Sequence, residues 1–341
     1  MRAKTLISAA CAALALLTAG AAAAQAPDSL KVTICGSGGP LPIKDRAKPC
    51  VAVQAGGALY LVDVGPESTE NLQLWRMPLA TVRAVFVTHL HSDHIGDLGE
   101  FNMQSWVAGR AAPLEVVGPP GVAALAAGFN QAYGPDHGFR NAHHEHDGIK
   151  LPIPLGLLKA KTIALPATLD PKAVQEKLAW SQDGLTVTAI RVEHHPATPA
   201  YAYRFDYKGR SVVVSGDTVK WAPLAEAAKG ADVLIHEAQN NDMTRQMSGG
   251  LKMLGNDRIA SIMADTTTYH TSPVEAAELA KAAGVKQLVL YHLTQAGLPF
   301  FTPEGFTKGI DKVGYLDWRL AKDGMTIELP VGGTEVKFGQ N

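Results

Sequence analysis

Short apolar runs of β type recur along the chain, and the residue just past each run is repeatedly a histidine or an acid. Residues 82–88 deliver His89, and residues 185–192 alternate before Glu193-His194-His195. Residues 211–214 lead into Gly216-Asp217-Thr218, residues 233–235 into His236-Glu237, and residues 287–291 into His292. Successive strand side chains point to opposite faces, so a polar group beyond the last buried position stands at a sheet rim. Chance would scatter these residues. Their recurrence in both halves predicts one polar site along a single rim.

Other segments fill in the frame. Residues 30–34 alternate like a strand and run into Gly36-Ser37-Gly38-Gly39-Pro40, read as a plain turn because the spacing of a phosphate cradle is missing. Residues 51–54 and 58–64 predict a hairpin around Gly56-Gly57, with Asp63 at its end, and residues 114–117 predict a strand before Gly118-Pro119-Pro120-Gly121. Helical composition marks residues 67–77, 222–229 and 273–283, the last with Ser272 as N-cap and Pro273 at the first helical position. Ser92 or Asp93 is expected to cap a helix running through Ile95, Leu98, Phe101 and Trp106. Residues 131–180 predict a less regular stretch. Strands alternating with helices imply sheets covered by helices.

The densest chemistry is His89-Leu90-His91-Ser92-Asp93-His94. On extended backbone His89 and His91 share a side and can grip one ion together. A helix starting at Ser92 or Asp93 aims Asp93 and His94 elsewhere, which suits a second ion beside the first. Imidazole and carboxylate without thiolate are ligands expected for zinc, with manganese or iron as alternatives. A second cluster, His143-His144-Glu145-His146, has no strand end to order it and reads as surface or pocket-rim histidines.

Composition narrows the partners. The 341 residues carry a formal charge of -1, so no global basic field is available to hold a polyanion, and nucleic acid is an unlikely partner by this criterion. Arg2 and Lys4 precede an apolar run over residues 5–17, followed by Ala21 to Ala24. This pattern predicts a secretory signal peptide over residues 1–24 and one mature domain over 25–341, periplasmic or secreted and without a membrane span. Cys35 and Cys50 remain in the mature chain; in an oxidising compartment they pair, and otherwise they are two buried thiols.

His-x-His-x-Asp-His after a strand resembles the metal-binding motif of the metallo-β-lactamase superfamily, and the resemblance covers residues 32–329. It implies an α/β fold, a four-layer αββα sandwich, with two divalent ions. His89, His91 and His194 would hold one ion, Asp93, His94 and His292 the other, and Asp217 would bridge them. His194 is favoured over His195 because it falls in line with Ile190 and Val192. Asp63 would support a ligand histidine from behind. A bridging acid at Ser215-Gly216-Asp217-Thr218 argues against β-lactam hydrolysis, and His91 argues against the diiron redox relatives.

Gly118-Pro119-Pro120-Gly121, His236-Glu237-Ala238 and His270-Thr271-Ser272 resemble motifs of the ribonuclease Z and arylsulfatase branch. In that branch the pair matching His236 and Glu237 supports proton transfer to the leaving group, while Asp93 orients or deprotonates water. The resemblance therefore implies a binuclear hydrolase using a metal-bridging hydroxide. Export and the lack of a basic substrate-clamping arm point to a small-molecule ester, an arylsulfate or a phosphodiester. A ribonuclease Z-like phosphodiesterase or a lactonase is the alternative, and a non-catalytic periplasmic metal-binding protein ranks last. A homodimer is left open.

Overall fold

The computed structural model describes residues 28–145, 148–298 and 300–341. The expected signal peptide, and His146 with Asp147, lie outside the described residues. Strands β1 (Ser29–Gly36), β2 (Cys50–Ala55), β3 (Ala58–Val62), β4 (Val82–Phe86), β5 (Leu114–Gly118) and β6 (Leu158–Thr162) follow one another in the first sheet. Strands β7 (Glu176–Gln182), β8 (Leu185–Val192), β9 (Ala200–Tyr207), β10 (Arg210–Val214), β11 (Val233–Glu237), β12 (Gln287–Tyr291) and β13 (Trp318–Leu320) make the second. The chain then returns to the first sheet as β14 (Met325–Pro330) and β15 (Lys337–Gln340), with β14 antiparallel to β1.

The two-residue period of the strands explains the layering. One set of alternate residues packs between the sheets, Val32, Val53, Tyr60 and Phe86 meeting Val187, Tyr203, Phe205, Val214 and Ile235. The other set lies under helices: Leu59, Leu61 and Val85 against Leu98 and Phe101 outside the first sheet, Ile190, Val213 and Leu234 against Leu224, Ala276 and Ala280 outside the second. This is the αββα sandwich expected from the sequence. Helix Pro273–Ala283 starts with a reciprocal Ser272–Glu275 capping box.

The structure departs from the expected elements in two places. The helix expected from Ser92 to Trp106 is broken into Ser92–Ile95 and Leu98–Val107. The His94 carbonyl, which a continuous helix would offer to Leu98, instead accepts the Val64 N–H at 2.8 Å, and the Asp97 N–H turns back to the Val64 carbonyl at 3.0 Å. Tertiary bonds thus outcompete the local pattern. A helix from Val122 to Glu145, with Pro135 inside it, runs into the stretch from residue 131 expected to be irregular.

Two sets of long-range ties hold the sheets to the loops around them. Cys35 and Cys50 form a disulfide across the base of the loop carrying Gly36 to Pro40, and Asp323 accepts from the Ser37 and Ala47 N–H groups at 2.9 and 2.7 Å. Buried Arg210 donates to Asp232 at 3.0 Å and to the carbonyls of Pro330, Gly333 and Glu335. Lys286 donates to the second Asp232 oxygen at 2.7 Å.

Burial alone would raise the Asp232 pKa, but Arg210 and Lys286 outweigh it and the pKa is lowered. Asp232→Asn is expected to cost about 3 kcal/mol in chemical denaturation at neutral pH, because it leaves a buried guanidinium without its counter-charge. A lowered folded-state pKa gives stability that is full above the ordinary carboxylate pKa and is lost as pH falls through the lowered value. The gap between wild type and variant should therefore close over that acid range.

Candidate metal centre

The site is built on the turns that follow β3, β4, β8, β10 and β12. Asp63, in left-handed backbone at φ 58°, accepts from the Thr88 N–H at 2.8 Å and from the Thr88 hydroxyl at 2.7 Å. That hydroxyl, having donated its proton, accepts from His89 Nδ1 at 3.0 Å. Asp63 also accepts from His94 Nδ1 at 2.7 Å, and the Tyr269 carbonyl accepts from His194 Nδ1 at 2.9 Å. Three imidazoles are thus oriented from behind and present Nε2 as the lone-pair nitrogen.

These nitrogens converge on Asp217. Its Oδ2 lies 3.3 Å from the Nε2 atoms of His94 and His292, 3.8 Å from that of His194 and 3.9 Å from that of His89. His89 Nε2 faces His91 Nδ1 at 2.8 Å, and Asp93 Oδ2 lies 3.4 Å from His292 Nε2. The preceding Gly216 has φ 59°, and a Cβ there would stand 2.8 Å from the Thr88 side chain and from the Tyr201 carbonyl. Only glycine lets the β10 turn press this closely on β4. His292 is itself held at φ 52°, a conformation that needs the surrounding structure to maintain it.

The residues fit divalent cations. His89, His91, His194 and Asp217 form one group, Asp93, His94 and His292 another, and Asp217, His270 and His292 a third, with the candidate ligand atoms of each group within 4.8 Å of one another. Among the described residues, Nε2 of His94, His194 and His292 and Oδ1 of Asp217 are buried without a hydrogen-bond partner. Native structures rarely leave so many such atoms together unless something else satisfies them. The nitrogen and oxygen donors suit zinc and its first-row neighbours.

The carboxylates around His94 favour positive charge within the cluster, whether a proton or a metal cation. Burial opposes charge on His94, but Asp217, Asp63 and Asp93 overcome it and push its pKa well above the ordinary imidazole value. Asp217 is driven far below the carboxylate range, burial being outweighed by His292, His94 and His89. Burial lowers His89 well below its usual value and brings His194 down to about 4, so both are neutral and able to ligate near pH 7. Asp93 falls to about 2, burial being outweighed by His94 and His292.

The ionisable pair next to this cluster is Glu237 with His270, rather than Glu237 with His236. Glu237 is fully buried, and its Oε1 accepts from His270 Nδ1 at 2.9 Å and from the Thr218 and Thr271 N–H groups. The His270 ring lies 5.1 Å from that of His194 and 5.6 Å from that of His292. His236 is placed elsewhere, which corrects the proton-donor position expected for it. It follows Leu234 on the helix-covered face of β11, and its Nδ1 bonds the Glu237 backbone carbonyl at 2.8 Å. His270 was visible in His270-Thr271-Ser272, and the alternation of β11 would have shown that Glu237 and His236 face opposite ways. His195 stays on the surface, its N–H bonded to Glu193. Among the described residues, neither His143 nor His144 joins a potential metal group.

Elemental analysis of purified variants tests this assignment. His89→Ala and Asp217→Ala should each lose most of the bound metal while keeping the wild-type circular dichroism spectrum. His236→Ala should retain full metal content; metal loss there would place it among the ligands.

Comparison with known proteins agrees with this geometry. The family profile described as "Beta-lactamase superfamily domain" matches residues 59–293. Ribonuclease Z of Mycobacterium bovis (strain BCG / Pasteur 1173P2) is 35% identical over 270 residues, spanning 78% of this chain and 87% of that protein. Ribonuclease Z of Mycobacterium marinum is 33% identical over the same shares. The metallo-beta-lactamase fold protein YhfI from Bacillus subtilis superposes with a TM-score of 0.59 at 21% identity, over 88% of this chain and 100% of its own. The short form of human tRNase Z gives 0.58 at 21%, over 88% and 99%. Nothing in these likenesses supports the expected restriction to small-molecule esters or the exclusion of nucleic acid. With these matches and this cluster, the chain belongs to the metallo-β-lactamase superfamily, in its ribonuclease Z branch, and is a metal-dependent hydrolase.

Proposed function

We propose that this protein is an exported phosphodiesterase working with two divalent cations, zinc first among the candidates. The observation that carries the proposal is the position of Asp217 Oδ2, within 3.9 Å of the Nε2 atoms of four histidines from the turns after three different strands, β4, β8 and β12. His89, His91, His194 and Asp217 would hold one cation; Asp93, His94, His292 and Asp217 would hold the other. Bound there, such cations supply Lewis acidity and lower the pKa of water from about 15.7 toward about 7.

The chain's own residues supply the rest. Asp93, ionised at neutral pH and partly open to solvent, is placed to accept the proton of the attacking water. Burial would lower His270, but the Glu237 carboxylate on its Nδ1 overrides this and raises it to about 9, so it can donate a proton to the leaving oxygen. Glu237, bonded by the Thr218 and Thr271 backbone, keeps that imidazole in one orientation. Fixed donors in a buried site favour the charge that develops in the transition state.

The curated relatives named Ribonuclease Z support a phosphodiester over a sulfate, carboxylic ester or lactone as the bond cleaved. The near-neutral charge supports a short substrate over a long polyanion, although RNA ends belong in any assay. Export is supported by the basic and apolar pattern of residues 1–24 and by the buried Cys35–Cys50 disulfide, which suits an oxidising compartment. No helix among the described residues is long and apolar enough to cross a membrane.

Zinc- or manganese-loaded protein should hydrolyse bis(p-nitrophenyl) phosphate faster than p-nitrophenyl sulfate, p-nitrophenyl phosphate or a lactone. A preference for the sulfate would overturn the phosphodiester assignment. His270→Ala should slow alkyl leaving groups about 10²- to 10⁴-fold and p-nitrophenolate far less; equal slowing would remove its role as proton donor. Mass spectrometry of protein from its native compartment should show Gln25 as the first residue and no free thiol.

A further inference from the structure

Beside the cluster, on the side of His89 and His91, opens a cleft of about 320 Å³. Its walls are four prolines, Pro119, Pro120, Pro196 and Pro199, together with Leu90 and Ala197. We propose that this cleft is a subsite for an uncharged aryl group on the phosphodiester, an inference that rests on the phosphodiesterase reading above.

Three features of the walls carry the assignment. First, proline has no N–H, so four wall residues offer no backbone donor to an anion. The Thr198 hydroxyl oxygen accepts from Arg191 Nη2 at 2.6 Å, so its O–H is the one hydroxyl donor among the described residues that line the cleft. Second, no lysine or arginine among the described residues lines the cleft. Arg191 itself is buried behind it, with Nη1 directed to the Val192 carbonyl at 2.8 Å. A second phosphate brought here would lose part of its water without meeting a lysine or arginine in return. Third, Leu90 is 38% exposed between two candidate ligands, and it packs against Gly121 so closely that a Cβ there would meet its Cδ1 at 2.5 Å. An apolar side chain held open beside the reacting phosphate gains from a hydrophobic cover.

Rigidity and size sharpen the choice. Proline fixes φ, and the Arg191 clamp ties the loop carrying Pro196 to Pro199 back to β8 and β9. The cleft therefore suits a flat, rigid group. Its volume sits at the lower end of small-ligand pockets, room for one ring system. The phosphate's charge would go to the cations, and the ring to the prolines.

The test is calorimetry on the zinc-loaded full-length mature protein with diphenyl phosphate, dimethyl phosphate and a diribonucleoside monophosphate. Diphenyl phosphate should bind about tenfold more tightly than dimethyl phosphate, and both Ala197→Asp and Leu90→Gln should erase that preference. Equal affinities in the wild type, a preference that survives both substitutions, or tighter binding of the dinucleotide would each overturn the subsite. In kinetics, KM for bis(p-nitrophenyl) phosphate should lie about tenfold below that for methyl p-nitrophenyl phosphate. Failure to hydrolyse either diester would count against the phosphodiesterase reading alone, because the binding comparison still decides what the cleft accepts.

Discussion

The geometry of the cluster depends on one constraint: a neutral imidazole can donate from one nitrogen and accept at the other. Thr88, Asp63 and the Tyr269 carbonyl each occupy Nδ1 of a histidine, which leaves His89, His94 and His194 with Nε2 for the shared interior. Asp63 serves two of the three, directly at His94 and through the Thr88 hydroxyl at His89. Its left-handed backbone and the hydrogen bonds it gathers make the turn after β3 the foundation of the turn after β4. Removing Asp63 would therefore disturb both sides of the centre at once, although it reaches neither side itself.

Much of the fold was legible because strands obey a short period. Val32, Val53, Tyr60 and Phe86 face the interior by alternation, and each strand's end marks where a polar residue emerges. The same rule separated His194 from His195. Applied to β11, it would have put His236 beside Leu234 and Glu237 beside Ile235, a step that reading the His-Glu pair as a unit passes over. What the pattern could not supply was anything decided by distant partners. The break between Ile95 and Leu98 exists because Val64 takes the His94 carbonyl, and that competition has no local signature. The His270 imidazole enters the site through a long excursion of two helices, Asn241–Met253 and Asp257–Thr266, whose return point no short motif dictates.

Charge was informative about the whole molecule and less so about its substrate. A formal charge of -1 describes the surface as a sum, while the site concentrates three carboxylates, Asp63, Asp93 and Asp217, within reach of one buried histidine. That local excess attracts cations whatever the total.

The return of β14 to the first sheet has a consequence for the order of assembly. Strand β1, near the start of the chain, pairs with β14, near its end, in the register Ser29 to Pro330 and Leu30 to Leu329. One edge of β1 thus stays open until residues 326–330 have been synthesised. Contacts this distant in sequence form late and slowly. Until β14 has been made, that seam stays unzipped and the first sheet lacks the strand that closes the outer edge of β1.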